Sequence, residues 1–259
     1  MDWSKIKTIF ILTFLVLNIY LLYEFLKIRD STKYEEVTET SFEEELAADQ
    51  IKYVELPKNP IKEMYVSANS KIFHKEDFTK LKDQQITIID DTLVHAVLTK
   101  PVKLMPDYEQ TELISFINNK VLHGDQYQYW EKDEQQRTIT YYQKYKNKTL
   151  YNNINGKLIL YLNEKNEVIS YKQTLLEKIE GLSEKQEILR ALKAIEALYE
   201  NGDLQPKSKI TKAELGYYTL VQLSASQVLT PTWRFVVDDK ENLFVNAFEG
   251  QIIEIDNKE

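Results

Sequence analysis

Thr8-Ile9-Phe10-Ile11-Leu12-Thr13-Phe14-Leu15-Val16-Leu17-Asn18-Ile19-Tyr20-Leu21-Leu22-Tyr23 contains no charged side chain, and its reading decides how the rest of the chain is organised. Beyond Glu24, Phe25 and Leu26 extend the apolar pattern. As an α-helix rising ~1.5 Å per residue, residues 8–26 would span roughly 28 Å, close to the ~30 Å hydrocarbon core of a bilayer. Trp3 before the run, and Tyr20 and Tyr23 near its end, suit the two interfaces. A cleavable signal peptide would have a shorter apolar stretch closed by small residues. This run closes Leu22-Tyr23-Glu24-Phe25-Leu26-Lys27, which offers no such site. The expectation is one uncleaved transmembrane helix over residues 8–26, behind a short cytoplasmic tail, residues 1–7.

The run also divides the charge. The chain of 259 residues carries 33 Lys and Arg against 41 Asp and Glu, a net of −8. Residues 1–29 hold Lys5, Lys7, Lys27 and Arg29 against Asp2 and Glu24, so the apolar segment sits in a mildly basic setting and the remainder is strongly acidic. An acidic surface argues against nucleic acid, whose phosphates need a basic face. With no cysteine there is no disulfide, thiol nucleophile or thiolate metal site. Six glycines and no Gly-x-Gly-x-x-Gly or P-loop pattern leave little for a phosphate-binding loop. Lys and Arg are too evenly placed on the two flanks to set orientation. A seven-residue tail cannot fold, and large domains translocate largely regardless of charge, so the remainder is expected outside the cell membrane.

Residues 27–50 read as an acidic juxtamembrane stalk that opens into a first helix, with Phe42 and Leu46 an apolar pair at i,i+4. A first α+β subdomain is expected over residues 51–150. Its short strands fall at Ile51–Leu56, Glu63–Ala68, Ile86–Ile89 and Leu93–Leu98, with Asp90-Asp91 turning between the last two. Glu76–Leu81 suits a short helix. A second helix opens at Pro106-Asp107, with Asp107 and Gln110 in capping-box spacing. It runs through Leu113, Ile114, Ile117 and Val121 and stops at Gly124. Strands follow at Thr138–Tyr145 and Thr149–Tyr151.

A second α+β subdomain is expected over residues 151–259. Asn155-Gly156 reads as a hairpin turn before Leu158–Leu162, and Val168–Leu176 is the next strand. Ser183 and Gln186 form another capping-box pattern ahead of a helix lined by Ile188, Leu189, Leu192, Ile195, Leu198 and Tyr199, closed by Asn201-Gly202. Three β segments complete the chain: Ala213–Leu223, Thr232–Val237 and Leu243–Ile255, the last bent at Gly250. Asn152-x-x-x-Gly156-x-Leu158-Ile159 echoes Asn246-x-x-x-Gly250-x-Ile252-Ile253, which a duplicated helix-plus-sheet unit or chance would explain. The segment order does not alternate strand and helix, so antiparallel α+β sheets packed with helices are expected rather than a doubly wound parallel sheet.

Catalytic patterns are sparse. No His-Glu-x-x-His, Gly-x-Ser-x-Gly or EF-hand loop occurs. His74, His95 and His123 lie far apart, with capping or edge positions their ordinary role. Ser4-Lys5-Ile6-Lys7 matches a Ser-x-x-Lys nucleophile pattern without its companion motifs. Asp90-Asp91 and Asp238-Asp239 read as turns rather than as a glycosidase pair. Asn147-Lys148-Thr149 is a glycosylation sequon. Seventeen tyrosines are many. Tyr127, Tyr129, Trp130, Tyr141, Tyr142 and Tyr145 crowd one stretch, with Tyr217 and Tyr218 later, as expected of half-buried strands or of an aromatic docking surface. In the apolar run, Thr13 and Asn18 are candidate partner contacts, because a polar side chain in a span can hydrogen-bond across a helix–helix interface. No catalytic, cofactor-binding or metal-binding residue is assigned.

Met1-Asp2-Trp3-Ser4-Lys5-Ile6-Lys7-Thr8-Ile9-Phe10-Ile11 resembles the N-terminus of the YycI (WalI) family. Thr230-Pro231-Thr232-Trp233-Arg234-Phe235 and Val245-Asn246-Ala247-Phe248-Glu249-Gly250 resemble its C-terminal region, whose hairpin is shared with a broader set of PepSY-like extracytoplasmic domains. The resemblance implies a single-pass, membrane-anchored accessory protein of low-GC Gram-positive bacteria. Its relatives act with a sister protein, YycH, on the sensor histidine kinase YycG (WalK), which with its response regulator governs cell-wall metabolism. In some relatives the pair restrains the kinase and in others it supports it. The resemblance also implies association of the three proteins' transmembrane helices, no cofactor and no catalytic residue. A homodimer is compatible with it. The rival readings are an extracytoplasmic ligand-binding module and a surface-anchored cell-wall hydrolase.

Overall fold

The structure is a computed structural model that describes residues 3–104, 109–222 and 226–254; within these, the side chains of residues 3–6, 8–9, 24–40, 109–110 and 221–222 are not described. The chain divides into two compact units, residues 1–52 with 205–208, and residues 53–204 with 209–259.

The first unit is built on one helix, α1 (Trp3–Ala48), 46 residues long. No glycine or proline interrupts it, so the apolar run and the acidic stalk share a continuous helical backbone. Its end follows the Schellman pattern. The Ile51 amide donates to Leu46 O at 2.8 Å and the Gln50 amide to Ala47 O at 3.1 Å. Gln50 takes the left-handed conformation (φ 59°) that glycine usually supplies. Beyond it, the Lys52 amide donates to Ser208 O and the Lys207 amide to Asp49 O, which pins residues 205–208 to the helix end. The strand β1 (Lys52–Tyr53) follows.

The second unit is α+β. Its elements in chain order are β2 (Lys62–Glu63), β3 (Val66–Ser70), β4 (Gln84–Ile89), β5 (Leu93–Lys103), α2 (Glu109–Lys120), β6 (Tyr127–Asp133), β7 (Thr138–Tyr145), β8 (Lys148–Tyr151), β9 (Lys157–Leu162), β10 (Glu167–Gln173), β11 (Leu176–Gly181), β12 (Gln186–Glu187), α3 (Ala191–Glu200), β13 (Lys209–Gln222), β14 (Ser226–Val237), β15 (Glu241–Asn246) and β16 (Ile252–Ile253). One sheet path runs β11-β3-β14-β13-β8-β7-β9-β10-β5-β4. Strand β6 adds to β7, β15 to β14 and β16 to β15. Strands β2 and β12 form a separate pair. Among the described pairs within this unit, all are antiparallel except β13 with β8, where Tyr217 meets Leu150 and Tyr218 meets Tyr151.

Helix α2 buries Leu113, Phe116, Ile117 and the following Val121 in a core with Val94, Ala96, Ile139, Tyr141, Leu158, Leu160, Val168 and Tyr171. These side chains alternate along β5, β7 and β9, as a one-sided sheet requires, and in β10 a bulge between Val168 and Ser170 brings Val168 and Tyr171 to the same face. Side chains of the sheet cap the helix end. Gln84 Nε2 (3.0 Å) and the Tyr171 hydroxyl (2.8 Å) both donate to Lys120 O, and Gln173 Nε2 donates to Leu122 O. The expected stop at Gly124 is shared. His123 takes the left-handed turn (φ 50°), and a Cβ on Gly124 would lie 2.1 Å from Ile117 O, so the glycine serves close approach. The capping box at Asp107 lies outside the described residues.

Three local expectations fail because tertiary pairing outweighs local pattern. The capping-box pattern at Ser183 and Gln186 does not start a helix. Gln186 and Glu187 pair with Glu63 and Lys62 instead, and α3 starts at Ala191. Asn155-Gly156 forms a 3-10 turn rather than a two-residue hairpin, because β8 pairs with β7 and β13 while β9 pairs with β7 and β10. Strand β14 runs straight through Pro231, where a start at Thr232 was expected. Opposite its β13 side, β14 pairs with β3 up to Leu229 and with β15 from Thr232. Pro231 falls at the changeover, where a missing N–H costs no ladder bond.

Gly216 lies in β13 beside the parallel junction with β8. A Cβ there would lie 2.4 Å from Thr149 O and from the Tyr151 ring. Backbone and a buried ring cannot yield cheaply, so Gly216→Ala is expected to lower stability by roughly 2–3 kcal/mol, despite alanine's better strand entropy. Urea unfolding followed by Trp fluorescence measures this; a midpoint at or above wild type would contradict it.

Candidate partner-binding site

The described side chains of α1 from Phe10 to Tyr23 are all exposed, from 48% at Leu17 to 72% at Phe10. Phe10, Ile11, Phe14, Leu15, Asn18, Ile19 and Leu22 line one shallow groove along the helix. Their spacing of three and four places them on one face with Asn18 near its middle. Thr13 lies about 140° around the helix from Asn18 at ~100° per residue, so the two candidate contacts do not share a face. An uncovered apolar stripe of this kind is costly in water and favourable against lipid or another helix. Among the described residues no helix is long and apolar enough to cross a membrane. The expected span, residues 8–26, runs at both ends into positions whose side chains lie outside the description.

In the second unit the tyrosine-rich stretch is mostly core. Tyr127, Tyr141 and Tyr142 are buried, and Trp130 packs on Tyr142, Tyr151 and Phe244. Arg234 lays its guanidinium 4.2 Å over the Trp130 ring. It is held there by Glu214 (2.8 Å) and Asn242 (2.8 Å), which spends the cation on structure. Tyr129 is the exposed member, edge-on to Tyr141. Glu63 is buried and paired with Lys148 at 2.9 Å, and it accepts the Tyr217 hydroxyl at 2.9 Å.

Burial pushes the Tyr142 phenol up to about 12, with the nearby Glu131 charge adding to it. Burial likewise raises Tyr127, Tyr151, Tyr171 and Tyr217, with the Glu63 contact adding at Tyr217. Each keeps its proton longer when folded. Their contribution is therefore whole below about pH 10, the unfolded value, and is lost as pH rises through the folded values. The expected result is alkaline unfolding in which tyrosinate absorbance near 295 nm and loss of far-UV ellipticity rise together. A smooth titration of all tyrosines near pH 10 with ellipticity intact would contradict it. On the acid side, the His74 amide donates to Asp77 at 3.0 Å and, with Lys71 beside it, holds that carboxyl below the usual range.

Asp90-Asp91 and Asp238-Asp239 are turns with both residues at positive φ (49° and 58°, 53° and 56°). Among the described residues no three His, Asp or Glu side chains gather as a metal-ligating group. The two echoing segments do not use their matching asparagines alike. Asn246 accepts Phe248 N and Glu249 N, whereas Asn152 accepts the Tyr142 hydroxyl and its neighbour Asn153 accepts Asn155 N.

An exposed apolar helix face and a mixed-sheet α+β unit are thus what the described residues define. The chain belongs to the YycI family, whose model, described as YycI protein, matches residues 30–248. No curated protein matches it. Among solved structures it is similar to an uncharacterized protein from Eubacterium rectale at 10% identity and a TM-score of 0.45, over 79% of this chain and 89% of that one. It is also similar to the C-terminal domain of YpeB from Bacillus megaterium (11%, 0.44, 71% and 97%). A third likeness is to YycH from Bacillus subtilis (13%, 0.43, 76% and 54%).

Proposed function

We propose that this chain is a non-enzymatic, membrane-anchored regulator. It would bind a YycG/WalK-like sensor histidine kinase together with a YycH-like partner and bias the kinase's activity, and so cell-wall metabolism. Membership in the YycI family over residues 30–248 carries this reading. In it, residues 1–7 are a cytoplasmic tail, 8–26 cross the cell membrane, 27–50 form the stalk, and 51–259 are the extracytoplasmic α+β part. The exposed face around Asn18 supplies the physical means. A regulator needs no active site, because it shifts a kinase by binding its on and off states with different affinity. Inside a bilayer, close packing and one interhelical hydrogen bond are enough to choose a partner helix.

Asn18→Leu keeps the segment apolar and removes the amide. An interhelical hydrogen bond is worth about 0.6–2 kcal/mol, so association with the kinase in membranes is expected to weaken roughly 3- to 30-fold. Co-purification at graded detergent dilution reads this out. Unchanged retention of the kinase would argue against the Asn18 face. Thr13→Val, on another face, is expected to leave retention unaltered if that face meets lipid.

A further inference from the structure

We infer that the open edge of β4 is a pairing surface for a second copy of this chain, lying antiparallel to it about a two-fold axis at Ile86. Strand β4 reads Gln84-Gln85-Ile86-Thr87-Ile88-Ile89 and ends the sheet path. Among the described residues β5 is the one strand paired with it. The stretch holds no charge, proline or glycine, and its register with β5 runs without a bulge. Other edges of the sheet are guarded. Strand β11 carries Glu177, Lys178 and Glu180 with a register break, and β6 carries Glu131, Lys132 and Asp133 with another. Strand β16 is only two residues long. Where β5 outruns β4, it carries Lys100, Pro101 and Lys103. Charge, proline, bulges and shortness are the usual guards, and an edge with none of them invites another strand.

The phase of the β4–β5 hairpin fixes what the edge offers. The Thr99 amide donates to Asp83 O at 2.9 Å, in the register that also pairs Gln85 with Val97 and Thr87 with His95. Hydrogen-bonded and non-hydrogen-bonded pairs alternate along an antiparallel ladder. Residues 85, 87 and 89 therefore direct their N–H and C=O groups to β5, and Gln84, Ile86 and Ile88 turn theirs outward. Just before them, the Lys82 carbonyl is taken by Lys120 Nζ at 3.1 Å. Ile86 and Ile88 pack on the core yet stay half-buried, while Gln85 and Thr87 are exposed on the other face. A neighbouring strand would pair the outward groups and cover the two isoleucines.

The flanks select a second copy and its direction. Lys80 and Lys82 precede the strand and Asp90 and Asp91 follow it, all four exposed. Asp83, between the lysines and the strand, is taken up by Lys120 at 2.9 Å. A parallel copy would set lysine against lysine and aspartate against aspartate. An antiparallel copy about Ile86 sets Lys82 opposite Asp90 at both ends. It also pairs Gln84 with Ile88 and Ile86 with itself, closing up to about six hydrogen bonds. Moving the axis by one residue either way leaves Gln84 or Ile88 without a partner in the strand. The contact is self-complementary, so it closes at two copies. It needs neither the kinase nor the YycH-like protein.

Because the chain has no cysteine, introduced ones report the register. In the dimer Gln85 of one copy faces Thr87 of the other in a non-hydrogen-bonded pair, with Cα atoms about 4.5 Å apart. Two copies of residue 85, or two of residue 87, lie about 8 Å apart, beyond disulfide reach. The full chain is prepared in mild detergent as Gln85→Cys and as Thr87→Cys, both exposed positions, and oxidised separately and as an equal mixture. The mixture is expected to form a disulfide-linked dimer about fivefold faster, or more, than either variant alone. Adding Lys82→Glu to both variants sets carboxylates together at each end and should slow the mixture about threefold or more. The proposal is overturned if the three samples cross-link alike, as a dimer held through α1 would. It is overturned equally if the single variants are faster, as a parallel pair would be, or if Lys82→Glu changes nothing. No product from the mixture would also overturn it and leave the edge to another chain, such as the YycH-like partner.

Discussion

Exchanging residues 1–29 for an unrelated apolar helix of equal length is expected to abolish control of the proposed partner kinase while the α+β unit melts as in wild type. The exchange removes the face that runs from Phe10 to Leu22 through Asn18 but keeps hydrophobicity and length. Membrane insertion, which responds to overall apolarity, should survive it. Packing against a particular neighbour should not, because helix association in lipid depends on shape and on polar side chains rather than on apolarity. Coupling of this kind is typically ~1–3 kcal/mol, so its loss returns kinase activity about 5- to 150-fold toward the value without regulator. Autophosphorylation in proteoliposomes holding kinase, YycH-like partner and either chain measures it. A chimera that regulates fully would place the control in the outer unit alone.

Trp233→Ala should be the most damaging single substitution in the α+β unit, at roughly 3–5 kcal/mol. Trp233 is fully buried in β14, stacked at 6.2 Å on Phe235, and its indole Nε1 donates to Leu189 O at 2.8 Å. That bond ties the segment before α3 to the sheet, where the Leu189 amide also donates to Ala247 O. Truncation opens a cavity and strands a carbonyl at once. Trp233→Phe separates the two losses. It keeps most of the ring and drops the donor, so it should cost roughly 1–3 kcal/mol. Urea midpoints of both variants are the measurement. Equal losses for Ala and Phe would mean that the hydrogen bond, rather than packing, holds the strand.

Elements whose causes are local could be read from the residues alone. The helical spacing of Leu113, Ile117 and Val121 marks α2, the alternation of Leu158, Leu160 and Leu162 marks β9, and the Asp pairs mark their turns. What eluded the sequence has distant causes. Ser183 and Gln186 offer a sound helix start, but Lys62 and Glu63 claim that segment as a strand. Pro231 reads as a strand break until β14 is seen to change neighbours there. The aromatic run from Tyr127 to Tyr145 is compatible with core or surface until Phe244 and Arg234 close over Trp130 from a hundred residues away. The candidate helix face is the opposite case. Asn18 stands out in the sequence because its neighbours are all apolar, and helical periodicity alone separates it from Thr13. The meeting of Asn153, Thr219 and Gln227 has no such signature, since it comes about through the parallel junction of β8 with β13.

Strand β3 lies between β11 and β14, with Val66 paired to Leu229. A chain emerging N-terminus first presents β3 long before β14 exists. At synthesis rates of about 5–20 residues per second, that wait is on the order of ten seconds or more. Strand β11 can close one side of β3 earlier, but the side that β14 will cover stays an open edge through the whole wait, and unpaired edges recruit other chains. The domain's vulnerable period is therefore set by chain length rather than by final stability. Slowing its delivery should favour aggregation, even for variants whose finished fold is sound.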